Sequence, residues 1–259
     1  MGYSGWPAWT LQRIKMRLIR MRMQQGRPRG FEAYLPYIQG KSGLEIGGPS
    51  GVFKESGPIP IYEEIGSLDN CDFSKSTVWA QHAEAFVFSP GKTHGNTFFC
   101  EGSALCDLPD STYDFILSSH NLEHFANPVK ALREWQRVLR SNGALILVLP
   151  YYRVTFDHRR KLTSVSHMLD DFKQNTQEDD LTHLPEILEK HDLRLDPGAG
   201  SKQDFHRRCL ENFSNRCIHH HVFDEQNSSE LLSKVGFKVL KVDLVLDIHN
   251  VHICILATL

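Results

Sequence analysis

The chain has 259 residues, enough for one large domain that buries its own core. Hydrophobic residues make up 41 % and charged residues 23 %, which excludes wholesale disorder. The 29 Lys and Arg against 31 Asp and Glu leave a net charge of −2, which argues against a dedicated nucleic-acid binder.

Residues 1–40 form a distinct opening region. Arg13, Lys15, Arg17, Arg20, Arg22, Arg27 and Arg29 bring seven positive charges before the first acid, Glu32. Leu11, Ile14, Leu18 and Met21 interleave with them at helical spacing, which predicts a basic amphipathic helix. Such a helix either packs its apolar stripe on the main domain or rests on an anionic membrane or a partner. No apolar run approaches the ~18 residues needed to cross a bilayer. The six cysteines form no CxxC pair, so a reduced, cytoplasmic compartment is expected.

Residues 41–150 read as a core of alternating strands and helices. Gly43 to Gly47 is a buried strand entering a glycine turn, and Ile59–Ile65, Thr97–Glu101 and Tyr113–Ser118 follow as strands. Asn127–Leu139 is an amphipathic helix with Val129, Leu132, Trp135 and Val138 on one face, closed at Gly143 by a left-handed cap. Ala144–Leu149 is a wholly apolar fifth strand stopped by Pro150. Residues 151–223 are too long for a structureless loop and read as an inserted cap carrying eight of the 14 histidines. Residues 224–259 complete the core with a helix, Ser228–Val235, and two strand-like runs whose short link makes them antiparallel. The expected fold is α/β: a Rossmann-like, doubly wound, mostly parallel seven-stranded sheet ending in an antiparallel hairpin, with an inserted cap.

The chemistry-bearing stretches lie at the ends of the strands. Glu45-Ile46-Gly47-Gly48-Pro49-Ser50-Gly51 turns through glycines, which lets backbone approach a ligand. Eighteen residues after Glu45, Glu63 is placed to hold a ribose, with Glu64 and Asp69 as alternatives. Glu101 to Pro109 follows the third strand. Ser119-His120-Asn121-Leu122-Glu123-His124 follows the fourth, and Glu134 to Ala144 leads into the fifth.

In these four ordered motifs the chain resembles the class I S-adenosylmethionine-dependent methyltransferases, in their small-molecule, methyltransferase-11-like branch. The resemblance implies that Glu45, Gly47, Gly48, Pro49 and Ser50 surround the methionine part of the cofactor. It places Glu63 at the ribose, Ser103 and Ala104 near the adenine, and Ser119 and His120 on the floor between cofactor and acceptor. It implies S-adenosyl-L-methionine as cofactor and S-adenosyl-L-homocysteine as product. The Glu134–Arg137 pair reads as a structural anchor.

Methyl transfer needs in-line geometry and, for a hydroxyl acceptor, a base; histidine suits that role. His120, His158, His183 and His220 are the candidates. His158, His183 and one of His219–His221 are expected to converge over the C-terminal edge of the sheet. Three consecutive histidines cannot all face one pocket from a strand. The histidines and acids of the cap match no standard metal signature, so no metal ligand is assigned; a divalent metal clamping vicinal hydroxyls is the alternative. The expected acceptor is a small polar molecule, a sugar or other polyhydroxylated metabolite, and no nucleic acid. Two other readings are a cofactor-binding module without catalysis and a methyltransferase of a lipid-linked acceptor at a membrane.

Overall fold

The computed structural model describes residues 31–78, 84–92, 95–105, 108–247 and 251–259. The basic segment up to residue 30 lies outside the described residues. A short helix α1 (Leu35–Ile38) precedes β1 (Ser42–Ile46), and β2 (Ser67–Asp72), β3 (Ala85–Phe86), β4 (Gly95–Phe99) and β5 (Tyr113–Ser119) follow. Helix α2 (Pro128–Val138) leads into β6 (Leu139–Pro150). The inserted region holds α3 (Val165–Gln174), α4 (Leu184–Lys190), α5 (Lys202–Leu210) and α6 (Asn212–Asn215). Helix α7 (Glu225–Val235), β7 (Lys238–Leu246) and β8 (Val251–Thr258) complete the chain.

The strands form one sheet in the order β3-β4-β2-β1-β5-β6-β8-β7. Strands β4, β2, β1, β5 and β6 run parallel, and β8 and β7 add the antiparallel finish. The eighth strand beyond the expected seven is two-residue β3, antiparallel on the β4 edge. Chain order reverses at β1, so the crevice beyond the C-terminal ends of β1 and β5 is where such sheets take ligands.

Strand β6 shows why the sheet is central. Leu145, Leu147 and Leu149 enter one core with α2, α3 and α7. Ala144, Ile146 and Val148 enter a second core on the opposite face, with α1 and the turns between 52 and 65. Alternate residues of a strand face opposite sides, so a wholly apolar strand must be covered twice. Helix α2 starts where the Asn127 side chain accepts a hydrogen bond from Lys130 N–H, with Pro128 as the first helical residue. Asp224 and Asn227 form a capping box on α7, and Gly236 ends it in the left-handed region.

Two local expectations are corrected. Ile59–Ile65 is not a strand: Pro58 and Pro60 remove backbone donors that a central strand needs, and the run packs as turns. The second strand is the more polar Ser67–Asp72. Its buried Asn70 is matched, accepting from Gly48 N–H at 2.8 Å. At the end of α2 the left-handed residue is Asn142, not Gly143, and β6 begins directly at Leu139.

The inserted region has a small core of its own: Leu184, Ile187, Ala199, Phe205, Cys209 and Ile218. Helix α3 ties it to the main core through Val165 and Met168. Among the described residues no helix is long and apolar enough to cross a membrane.

Candidate active site

A cavity of about 1030 Å³ opens at the C-terminal ends of β1, β2, β4 and β5 and is roofed by the inserted region. One wall is the loop Gly47–Gly51. Gly47 has φ +72°, and a Cβ there would sit 2.5 Å from Asn121 Oδ1. Asn121 donates to the Ile46 and Ser119 carbonyls, joining the loops that leave β1 and β5. A Cβ on Gly48 would meet the Glu45 carboxyl at 2.4 Å. Glu45 is fully buried beneath the loop, accepting from Ser50 N–H at 3.0 Å and from the Tyr62 hydroxyl. Burial pushes this carboxyl up to about 7. The loop is thus glycine because two polar side chains pack hard against its underside.

Acids follow at neighbouring strand ends. Asp72 closes β2 and Glu101 follows β4, both on the cavity wall with Gly102. Trp135 Nε1 donates to the Gly102 carbonyl at 2.9 Å. Glu134 accepts from Leu105 N–H, and Arg137 donates to the Leu105 and Leu108 carbonyls. The Glu134–Arg137 pair therefore anchors the loop after β4 to α2. Across the cavity Arg216 reaches Glu101 at 2.5 Å, its guanidinium against the rings of Phe73 and Phe213. This pair joins the inserted region to the sheet.

The third wall carries the titratable groups. His120, at φ +55°, shares a hydrogen bond with His252, Nε2 to Nδ1, at 2.8 Å. Burial, with His252 and His219 nearby, pushes His120 down to about 3, so its ring is neutral. Glu123 is buried, and neither of its carboxylate oxygens has a hydrogen-bond partner among the described residues. Burial pushes it up to about 7. Ligating atoms of Glu123, His124 and His219 lie within 4.8 Å of one another.

His219 Nδ1 meets Asp157 Oδ2 at 2.5 Å. Asp157 is in turn held by buried Arg160 at 3.0 Å, which also donates to the His219 and His220 carbonyls. Burial works against charge on the His219 ring, but the Asp157 carboxylate outweighs it and the pKa is raised. A histidine whose Nδ1–H is fixed by a carboxylate presents Nε2 as a proton acceptor.

Residues 63–147, from just before β2 to most of β6, match the family described as a methyltransferase domain, methyltransferase-11. Over those residues the chain is a methyltransferase domain. No curated protein matches the chain in sequence. A solved S-adenosylmethionine-dependent methyltransferase from Mesorhizobium loti is 15 % identical at TM-score 0.51, covering 88 % of this chain and 95 % of that one. The N1-methyltransferase of 1,6-didemethyltoxoflavin from Burkholderia thailandensis, solved with S-adenosylhomocysteine, is 12 % identical at TM-score 0.49, covering 100 % and 92 %. A methyltransferase from Aquifex aeolicus is 14 % identical at TM-score 0.48, covering 95 % and 97 %.

The methyltransferase's cavity gathers Gly47, Gly48, Pro49, Ser50, Ser119 and His120 from the sequence-derived set. The others fall elsewhere. Glu45 supports the loop from below. Glu63 sits in the turn before β2, bonded by Ser89. Glu64 accepts from Gln39, and Asp69 accepts from Tyr113 and Asn96, so Asp72 is the acid at the strand end. The shift follows from the displaced second strand. Ser103 and Ala104, which directly follow Glu101 and Gly102, are not among the residues lining the cavity. His158 pairs with Asp192 at 3.0 Å on the cap, and His183 meets His167 at 3.1 Å. His220 is buried against Asn212. The expected convergence of His158 and His183 on the cavity does not occur; of the consecutive histidines His219 alone lines it. Glu123 belongs to the stretch after the fourth strand that the sequence marks out, whereas Asp157 and Arg160 carry no such signal: they pair three residues apart, but the histidine they support, His219, comes from the far end of the insertion.

Proposed function

We propose that the methyltransferase transfers its methyl group to a hydroxyl of a small polar acceptor, with a sugar or other polyhydroxylated metabolite as the acceptor class. The observation that carries this reading is the Asp157–His219 pair on the cavity wall beside the buried carboxyl of Glu123, which has no hydrogen-bond partner among the described residues. The cavity suits a nucleoside-bearing cofactor together with a small acceptor, since sites for single ligands run roughly 300–1,000 Å³. In this reading Asp72 holds the ribose, the Glu101–Gly102 turn borders the base, and the loop Gly47–Ser50 lies along the amino-acid end. S-adenosylmethionine supplies an electrophilic methyl on a sulfonium. The protein orients the acceptor oxygen toward it and removes the proton through His219 Nε2, while Asp157 steadies the charged ring. The cap side of the cavity is polar, with Asp196, Arg208, Arg216 and His219, which favours an acceptor rich in hydroxyls.

The test is transfer of labelled methyl to panels of polyols, amines and thiols by the full chain. Polyols are expected to be methylated. His219→Gln is expected to lower kcat by roughly 10²–10⁴ while leaving cofactor affinity unchanged. The acid limb of the kcat profile is expected above pH 6.5, the ordinary histidine value, because Asp157 raises His219. Asp157→Asn removes that support and should move the limb to lower pH. Acceptance of amines alone, or a His219→Gln enzyme with full kcat, overturns the proposal.

A further inference from the structure

A second group of ligating side chains lies inside the cap, away from the cavity. His167 and Asp171 stand one turn apart on α3, His183 precedes α4, and His221 lies on the segment returning to α7. His167 Nε2 and His183 Nε2 are 3.1 Å apart. Asp171 Oδ2 is 3.5 Å from His167 Nε2 and 3.7 Å from His221 Nε2. Ligating atoms of the three histidines all lie within 4.8 Å of one another. Asp171 Oδ2 is buried without a hydrogen-bond partner among the described residues, and so is His221 Nδ1, while His221 Nε2 lies 3.4 Å from the Ala126 carbonyl oxygen, the outer contact that would leave Nδ1 to the ion.

We propose that His167, His183 and His221, with Asp171 as fourth ligand, form a structural site for one divalent transition metal, zinc by preference. Four ligands at ~2.0–2.1 Å around a tetrahedral zinc lie roughly 3.3 Å apart, close to the separations seen here. A set built only for hydrogen bonding would give the buried Asp171 oxygen a donor. Instead the Asp171 carboxylate accepts from Thr176 through Oδ1 at 3.3 Å and turns Oδ2 toward the imidazoles. Such an outer partner on the second oxygen orients a ligating carboxylate. The set of three imidazoles and one carboxylate suits zinc, whereas magnesium and calcium prefer oxygen alone.

None of the four residues lines the cavity, so the ion serves the shape of the cap and takes no part in methyl transfer. It would staple three segments: α3, the start of α4 and the return to α7. His221 N–H also donates to the Glu123 carbonyl at 3.3 Å, so the staple reaches the turn that carries Glu123 and His124. His167 is the entry point, with 43 % of its side chain exposed, whereas the His221 ring is wholly buried.

The experiment uses the full-length protein, stripped with a chelator and titrated with Zn²⁺ alone and with Co²⁺ alone. The expected result is one Zn²⁺ per chain, a tetrahedral Co²⁺ absorption spectrum and a higher melting temperature on loading. His167→Gln and Asp171→Asn should each weaken zinc binding by more than the 10–100-fold typical of outer-shell changes. His219→Gln, at the other histidine group, should bind as tightly as wild type. Binding lost with His219→Gln but kept in His167→Gln overturns the proposal, as does a chain that binds no zinc. Should the variants lose their fold, the wild-type stoichiometry and Co²⁺ spectrum decide, and an octahedral spectrum overturns the site.

Discussion

At the scale of single residues, the polar groups beneath the glycine loop set much of the pH behaviour. Glu45 is raised to about 7 in the folded chain from an ordinary 4.5. The folded state therefore holds this proton more tightly than the unfolded state between those values. Stability from Glu45 is present below pH 4.5 and is lost as pH rises to about 7. Glu45→Gln removes the effect, so the stability of the variant relative to wild type should increase from pH 4.5 to 8 in paired denaturant titrations. A constant difference across that range would show that the buried carboxyl is not protonated in the folded protein. The glycine turn was legible in the sequence as a close approach of backbone to ligand. The reason for the glycines was not: Asn121 meets Gly47 only after β1 and β5 pair, and Glu45 turns under Gly48 only once it is buried against Tyr62.

Among the elements, α2, β6 and α7 were readable because local signals agree: an apolar stripe, a cap and a wholly apolar strand. Strand β2 was not, since its burial comes from neighbours on both sides and its polar residues look exposed until Gly48, Asn96 and Tyr113 are in place. The cap was legible as a folded insertion, but not its internal wiring. Arg160 shows why: its partners are Asp157, Glu186 and the carbonyls of His219 and His220, drawn from both ends of the insertion. Its side chain is almost wholly buried. Arg160→Met leaves Asp157 charged and poorly paired, so a loss of about 3–5 kcal/mol is expected in chemical denaturation. A loss below 1 kcal/mol would mean that water replaces the guanidinium.

For the whole molecule, three consecutive histidines distribute the two polar centres. His219 faces the cavity, His220 faces Asn212, and His221 faces α3. Alternation along an extended chain would put His219 and His221 on one side; the segment instead bends at Ile218, His220 and His221, and the two rings join different groups. As a membrane or partner address, the basic, apolar-striped stretch up to Arg29 would take no part in holding the cofactor. Deleting residues 1–30 should therefore leave S-adenosylmethionine affinity within a few-fold, measured by calorimetry. Flotation with anionic vesicles should report any surface binding by the full chain as a signal that weakens with salt. A deletion that abolishes folding would assign the segment to packing on the core.

The pairing of β6 with β8 spans the whole cap, with Pro150 opposite His252. Closing so long a loop is entropically mild, because the cost rises only with the logarithm of length. Removing residues 151–223 from that loop would change the closure term by roughly 1 kcal/mol. In closure entropy the sheet is thus nearly indifferent to how much chain is inserted there, provided Val165 and Met168 of α3 keep their place in its core. Evolution can rewrite the insertion, and with it the acceptor side of the cavity, while the strands that frame the cofactor side keep the same registry. Acceptor choice and scaffold are free to drift at different speeds within one chain.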